Sequence, residues 1–181
     1  MSFNVKNIRK DFPFFANSQN KIIYFDNAST THKPKVVLNA INNYYSNFNA
    51  NVHRAAYQIA EKATLEYENS RRIIANFINA NTNEIIFTKS TTESINIISN
   101  ALGLIKLKKN DEIIITEMEH HSNIVPWQML CEKIGAIMKV IPMNQEGELI
   151  FSEYEKLLSN KTRVVFVNHV SNALGTINPV K

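Results

Sequence analysis

Residues Thr116-Glu117-Met118-Glu119-His120-His121-Ser122-Asn123-Ile124-Val125-Pro126-Trp127-Gln128 gather two histidines, two acids, amides and a tryptophan into one short stretch. They follow Ile113-Ile114-Ile115, an apolar run that reads as a buried strand. In a parallel α/β sheet, ligands bind beyond the carboxyl ends of the strands, so a titratable cluster there is a site candidate. A flat imidazole at that point can stack on a planar cofactor or move a proton. Metal binding by His120 and His121 is disfavoured, because adjacent side chains diverge and the single cysteine shows no zinc-like spacing to the other histidines. A plain surface histidine pair is the bland alternative.

Three other segments have a similar character. Lys89-Ser90-Thr91-Thr92-Glu93 lies between a predicted strand and a predicted helix. Thr91 or Thr92 is expected to cap that helix, with Glu93 in its first turn. Free N–H groups beside hydroxyls form a cradle for phosphate, although an ordinary N-cap would look the same. Neither GxGxxG nor GxxxxGK[ST] occurs, which disfavours dinucleotides and P-loop nucleotides. Asn168-His169-Val170-Ser171-Asn172 and Asp26-Asn27-Ala28-Ser29-Thr30-Thr31 end two further predicted strands with amides and hydroxyls. Turn chemistry explains each alone; together they predict four polar strand ends on one side of a single sheet.

The elements that must position these groups follow from periodicity. Residues 1–20 read as an N-terminal arm docked by Phe12, Phe14 and Phe15, and Ile22 to Phe25 as a short strand. Pro34 suits a helix first turn, followed at helical spacing by Val37, Ile41, Tyr44 and Phe48. A longer helix is predicted over Gln58 to Ile78, with Leu65, Ile73, Ile74 and Phe77 inside and Glu66, Glu68, Arg71 and Arg72 outside. Beyond it the rhythm is strand–helix. Strands are predicted over Glu84–Thr88, Glu112–Thr116, Ala136–Ile141 and Arg163–His169. Helices are predicted over Thr92–Leu104 (with Ile95, Ile98 and Leu102 on one face), Ser122–Ile134 and Glu153–Leu158. The alternation predicts an α/β fold with a mostly parallel sheet and flanking helices. Val164-Val165-Phe166-Val167, apolar on both pleat faces, reads as a central strand.

The bulk numbers bound the rest. A chain of 181 residues can bury a core, and 44% hydrophobic with 20% charged residues is ordinary for a globular protein. No run approaches a membrane span and the N-terminus lacks a signal-peptide pattern. The net charge of +4 comes from scattered Lys and Arg, not a stripe, so no nucleic acid is expected. One cysteine, Cys131, permits no internal disulfide and suits a reducing compartment, so the expected location is cytoplasmic.

The whole chain resembles the N-terminal part of class V aminotransferase-type, pyridoxal 5'-phosphate (PLP) enzymes, and among them the SufS-type cysteine desulfurases. The resemblance rests on Asp26-Asn27-Ala28, Asn51-Val52-His53-Arg54, Ser90-Thr91-Thr92-Glu93, Met118 to Gln128, and His169-Val170-Ser171-Asn172-Ala173-Leu174-Gly175. The long histidine motif and the final motif are specific; the threonine loop and the Asp-Asn-Ala turn are shared more widely. The resemblance implies the N-terminal part of a fold-type I PLP-dependent transferase large domain, incomplete over residues 21–181. The implied reaction takes L-cysteine to L-alanine plus an enzyme persulfide, for iron–sulfur cluster assembly. His120 would stack on the pyridine ring and relay protons. Thr91 and Thr92 would hold the cofactor phosphate. Asn172 would bond near the cofactor 3-hydroxyl and the substrate carboxylate. Ala28 and His53 would border the substrate pocket, His53 by reaching across a dimer interface. Partners implied are a homodimer mate or a separate C-terminal half, and a sulfur-acceptor protein.

Two departures stand out. Ala55-Ala56-Tyr57 follow Arg54 where the family has His-Arg-Gly-x-His, and Ser90 stands where glycine is common. The resemblance puts the Schiff-base lysine, its carboxylate partner and the nucleophilic cysteine beyond the strand that ends at Asn172, so the chain alone is expected to be inactive. His32-Lys33 mimics the family's His-Lys but precedes Pro34 in an early loop and reads as a solvated lysine; Cys131 reads as a small buried hydrophobe. The alternatives are another class V member, such as a selenocysteine lyase, or a non-catalytic scaffold retaining only dimer contacts.

Overall fold

A computed structural model describes residues 3–17 and 22–181. The parts of the expected arm at residues 1–2 and 18–20 lie outside the described residues. The chain divides into two compact units, Met1–Ile86 and Phe87–Lys181.

The first unit contains helices α1 (Val5–Arg9), α2 (Pro13–Ala16), α3 (Lys35–Asn47) and α4 (Gln58–Phe77), with a 3-10 turn at Thr82–Glu84. Phe14 stacks on His32 at 3.7 Å, while Phe15 and Tyr24 meet the same ring edge-on at 5.1 and 4.6 Å. The phenylalanines thus dock the arm on a histidine, and His32 is a packing residue. Lys33 is exposed and donates to the Thr31 carbonyl, as expected of a solvated lysine. Pro34 sits at the N-cap of α3, and Phe48 at its C-terminal end is buried.

Three expectations change in this unit. Ile22–Phe25 and the stretch from 85 to 88, on either side of the unit boundary, are not strands. A strand exists by its ladder, and neither segment belongs to the sheet found among the described residues. In α4 the buried residues are Ala60, Ala63 and Ala75, whereas Leu65, Ile73, Ile74 and Phe77 are exposed, Phe77 at 88%. Helical periodicity marks an apolar stripe, but burial goes to whichever face meets a neighbour. Here small alanines allow that approach, and Lys62 lies over the Phe48 ring at 4.5 Å.

The second unit contains α5 (Thr91–Ile105), β1 (Glu112–Thr116), α6 (Val125–Ile134), β2 (Ile137–Ile141), α7 (Phe151–Leu157) and β3 (Thr162–Phe166). The strands form a parallel sheet in the order β2-β1-β3. All five residues of β1 are buried. Their alternation divides the core. Ile113 and Ile115 pack with Trp127, Leu130, Cys131 and Leu107 on one face; Ile114 packs with Met118, Ile141 and Leu149 on the other. Burial on both faces is why β1 reads as an unbroken apolar run. The central strand is therefore β1, and β3 lies at an edge of the sheet with Val167 beyond it 37% exposed, contrary to the expectation for Val164–Val167. The buried side of α5 carries Ile95, Ser99 and Leu102, and Ile98 faces out.

The segment predicted as one helix from Ser122 breaks in two. His121–Asn123 is a 3-10 turn, and α6 begins at Val125 with Pro126 in its first turn. Gly135 ends α6 with φ +73°, the left-handed conformation that glycine adopts without a Cβ clash. Trp127 is fully buried and stacks on Phe166 at 4.0 Å, which fastens α6 to the edge strand.

The base of β1 carries a carboxylate. Glu112 is buried, pairs with Lys139 at 2.8 Å and accepts from Ser159 Oγ at 2.6 Å. The Lys139 bond, then the Ser159 bond, hold its pKa below the ordinary value. A depressed carboxylate pKa contributes stability that is present above the unfolded-state value and is lost as pH falls through the folded-state value. Lys139→Met is therefore expected to destabilise the chain at neutral pH and to shrink the loss of stability on acidification. Urea unfolding midpoints at neutral and acid pH measure both effects.

Candidate functional site

The acids after β1 tie strand ends together. The Glu117 N–H donates to the Ile141 carbonyl, and Glu117 Oε2 accepts the Met143 N–H, both at 2.9 Å, so this residue binds the end of β2. Glu119 faces the other way. Its Oε1 accepts from Thr116 Oγ1 at 3.0 Å and from the Asn168 N–H at 2.6 Å, just past β3. Its Oε2 accepts from Asn123 Nδ2 at 2.9 Å, and Asn123 Oδ1 accepts the Trp127 indole N–H at 2.8 Å. A second strut joins the same strand ends: Asn168 Nδ2 donates to the Met118 carbonyl at 3.1 Å, and buried Asn178 donates to the Asn168 carbonyl at 2.8 Å.

His120 is exposed on this braced turn. Its Nδ1 accepts the Ser122 N–H at 3.1 Å and lies 2.9 Å from Ser122 Oγ, so the imidazole acts as the N-cap of the 3-10 turn. A ring nitrogen that accepts an N–H carries no proton. The neutral ring therefore carries its proton on Nε2, which has no hydrogen-bond partner among the described residues. His121 stands edge-on 6.1 Å away. Among the described residues no group of three His, Cys, Asp or Glu side chains could hold a metal ion.

The α5 terminus differs from expectation in one respect. Ser90, not Thr91 or Thr92, is the N-cap, and its hydroxyl accepts the Glu93 N–H at 3.2 Å. Glu93 Oε2 in turn accepts the Lys89 N–H at 2.6 Å. Serine thus supplies the cap and leaves both threonines in the first helical turn. Thr91 and Thr92 are exposed there, at the positive end of the helix. The helix packs against the His121–Asn123 turn and α6, so the elements bearing the threonines and His120 are neighbours.

Asn172 sits in an exposed turn that starts four residues after the clasped Asn168. The turn is closed by Ser171 and Gly175, whose N–H donates to the Ser171 carbonyl at 2.9 Å. Of the four polar strand ends expected, two, after β1 and β3, follow strands of the sheet, and Glu119 joins them directly. The other two follow irregular segments.

Ala28 and His53 belong to the first unit. Ala28 lies in a tight turn stabilised by Ser29 Oγ donating to Asp26 Oδ1 at 2.7 Å. His53 has a left-handed backbone, φ +68°, and its N–H donates to Thr64 Oγ1 at 3.0 Å. Its Nε2 lies 2.8 Å from Glu68 Oε1, and Glu68 also pairs with Arg71 at 3.1 Å. Hydrogen bonding to His53 is the main reason that the Glu68 pKa is lowered. His53 lines an open cavity of about 560 Å³ with Ala55, Ala56, Tyr57 and Glu61. Periodicity placed Glu68 on a solvent face; its role as the partner of His53 needs a contact fifteen residues apart. By contrast, Glu119, Asn123 and Trp127 follow one another at a spacing of four, a helical-face signal available in the sequence.

Cys131 is buried in the core of the second unit, and burial raises its thiol pKa. A cavity of about 480 Å³ in this unit is lined by Ile141, Leu149, Phe151, Tyr154 and Val165, and holds none of the candidate residues. No helix among the described residues is long and apolar enough to cross a membrane.

A sheet with helices on both faces and a polar histidine turn at the end of its central strand defines a class of α/β enzyme site. The chain belongs to the aminotransferase class-V family, whose model matches residues 23–181. It is 48% identical over 181 residues to a probable cysteine desulfurase of Mycolicibacterium paratuberculosis, covering 98% of this chain and 26% of that protein. It is 44% identical to a cysteine desulfurase of Synechococcus elongatus, covering all of this chain and 29% of that protein. The apo structure of a cysteine desulfurase from Thermococcus onnurineus superposes with a TM-score of 0.91 at 43% identity, over 99% of this chain and 44% of that one. The chain thus spans between a quarter and a half of the length of these relatives.

Two outcomes are expected. Ser90→Ala should lower stability by about 1 kcal/mol, while Ser90→Gly should cost only a few tenths, as read from urea unfolding. His53→Ala should raise the Glu68 carboxyl pKa toward its ordinary value, as read from carbon-13 NMR titration; no change would remove the His53–Glu68 bond from the account.

Proposed function

We propose that this chain is the N-terminal part of a PLP-dependent cysteine desulfurase. The observation that carries the reading is His120, held at the end of the central strand with Nδ1 engaged by Ser122 and Nε2 free. Residues 21–181 are read as an incomplete PLP-binding large domain, preceded by the arm.

The donor set suits the cofactor. A phosphate dianion needs N–H and hydroxyl donors at a positive helix end, and the first turn of α5 offers both from Thr91 and Thr92. The one acid in that turn, Glu93, has its carboxylate turned back to Lys89. His120 offers an exposed, flat ring for stacking. When bound, PLP supplies an electron sink that weakens bonds at the α and β carbons of an amino acid.

The chain's own residues would do the following. Thr91 and Thr92 bind the phosphate. His120 orients the pyridine ring by stacking and holds or moves a proton at Nε2. Asn172 binds near the cofactor 3-hydroxyl and the substrate carboxylate, while Ala28 and His53 border the pocket for L-cysteine. Cys131 is a buried core group with a raised pKa, so the reading assigns sulfur acceptance to a cysteine outside these residues. The products are alanine and a persulfide that passes to an acceptor protein of iron–sulfur assembly, in a cytoplasmic, SufS-type pathway. The working enzyme is a homodimer or an assembly with a separate C-terminal half.

The test is a fluorescence titration of the purified chain with PLP, alone and with a separately expressed C-terminal half of a related cysteine desulfurase. Binding is expected, tighter in the mixture, and Thr91→Ala/Thr92→Ala should weaken it about tenfold or more, as for lost hydrogen bonds to a charged group. Alanine should form from L-cysteine only in the mixture. Absence of PLP binding in both samples overturns the cofactor assignment, and alanine production by the chain alone overturns the inactivity of the isolated part.

A further inference from the structure

The direction of each hydrogen bond around Glu119 is fixed by groups that cannot reverse. The Trp127 indole nitrogen is a donor only, so Asn123 must turn its carbonyl oxygen toward it. The Asn123 amide NH2 is thereby aimed at residue 119 and needs an acceptor there. On the opposite side the Asn168 backbone N–H is also only a donor, and it shares Glu119 Oε1 with the Thr116 hydroxyl. Residue 119 must therefore accept through both terminal atoms, and among side chains of that length only a carboxylate does so. Glutamine can serve one side but presents an NH2 to the other. Trp127 is fully buried, so a donor left unpaired there has no water to turn to.

The same carboxylate sets the geometry on either side of it. The His120 carbonyl accepts the Asn123 N–H at 2.7 Å, and Asn123 is held by Glu119, so the turn that carries the imidazole closes on a clasped residue. The Asn168 bond fixes the start of the segment leading to Asn172. We propose that Glu119 is a positioning residue for His120: an acceptor-only clasp that transmits the fixed orientation of Trp127 to the imidazole turn and to the segment after β3. That His120 meets a cofactor rests on the function proposed above; the clasp itself does not.

The polarity argument can be tested by inversion. Glu119→Gln sets a donor against the Asn123 amide. Asn123→Asp alone sets two carboxylates against each other. The double variant restores complementarity. Its carboxylate at position 123 accepts from both the Trp127 indole and the new amide at position 119, whose carbonyl oxygen serves Thr116 and Asn168. The chain has a single tryptophan, so its indole N–H exchange is a unique reporter. Long-range nitrogen-15 NMR of His120 reports the tautomer, and PLP titration reports the consequence for the cofactor.

Glu119→Gln is expected to speed indole exchange about tenfold or more, because the bond lost is that of Asn123 to the charged carboxylate that holds the indole's acceptor in place. Asn123→Asp keeps an acceptor for the indole, and both single variants are expected to replace the Nε2–H form of neutral His120 by a tautomer mixture. PLP affinity should fall with it. The double variant should return all three toward wild type, a coupling that independent sites would not show. If a single variant unfolds, recovery of the fold and of the His120 tautomer in the double variant supports the clasp, and failure to recover overturns it. An unchanged His120 tautomer in a folded Glu119→Gln chain also overturns it. If wild type binds no PLP while the two NMR readouts respond as stated, the cofactor reading fails and the clasp stands.

Discussion

Burying all of β1 in the middle of a parallel sheet forces the polar groups at both its ends to find partners inside the protein. At the base, Glu112 does so through Lys139, Ser159 and Thr162, which draws β2 and the approach to β3 against it. At the tip, Thr116 is fully buried and gives its hydroxyl to Glu119. The partners lie on the neighbouring strands, so satisfying the central strand also sets where the outer strands begin and end.

That requirement explains why a motif rich in charge and amide groups can be structural and chemical together. Glu117 takes the end of β2, Glu119 takes the end of β3, and Asn123 connects the latter to the buried indole. With both acids and the amide occupied, His120 is left on the outside of the turn with one nitrogen engaged and the other without a partner among the described residues. A site residue on a strand end needs such bracing, because a loop without it would let the ring wander by more than binding tolerates. The same economy operates at α5. Ser90 takes up the capping role, which leaves both threonine hydroxyls at the open end of the helix.

Legibility followed the range of the interaction. The unbroken apolar run at Ile113–Ile115, the helix stop at Gly135 and the strand–helix alternation after residue 106 are local patterns, and each appears in the second unit as read. The buried face of α4 is not a local pattern. Leu65, Ile73, Ile74 and Phe77 form a good apolar stripe, yet within this unit burial falls on Ala60, Ala63 and Ala75. The strands expected at 22–25 and 84–88 failed for a related reason: β-propensity describes a segment, whereas a strand needs a neighbour to complete its ladder.

By itself, the sequence determined the elements of the second unit to within a few residues and placed His120, Thr91, Thr92 and Asn172 just past predicted strands or at a helix start. Those properties depend on residue type and spacing along one stretch of chain. The tertiary structure alone decided which strand is central, which residue caps α5, which nitrogen of His120 is free and what each acid does. The strand order and the partners of the acids depend on contacts between segments far apart in sequence, such as the Glu119 carboxylate with the Asn168 N–H forty-nine residues on. The α5 cap and the engaged nitrogen of His120 rest on local bonds, and the folded geometry decides which of several neighbouring candidates makes them. Hydrogen-bond direction is a property of the assembled partners, and no single stretch of the chain carries it.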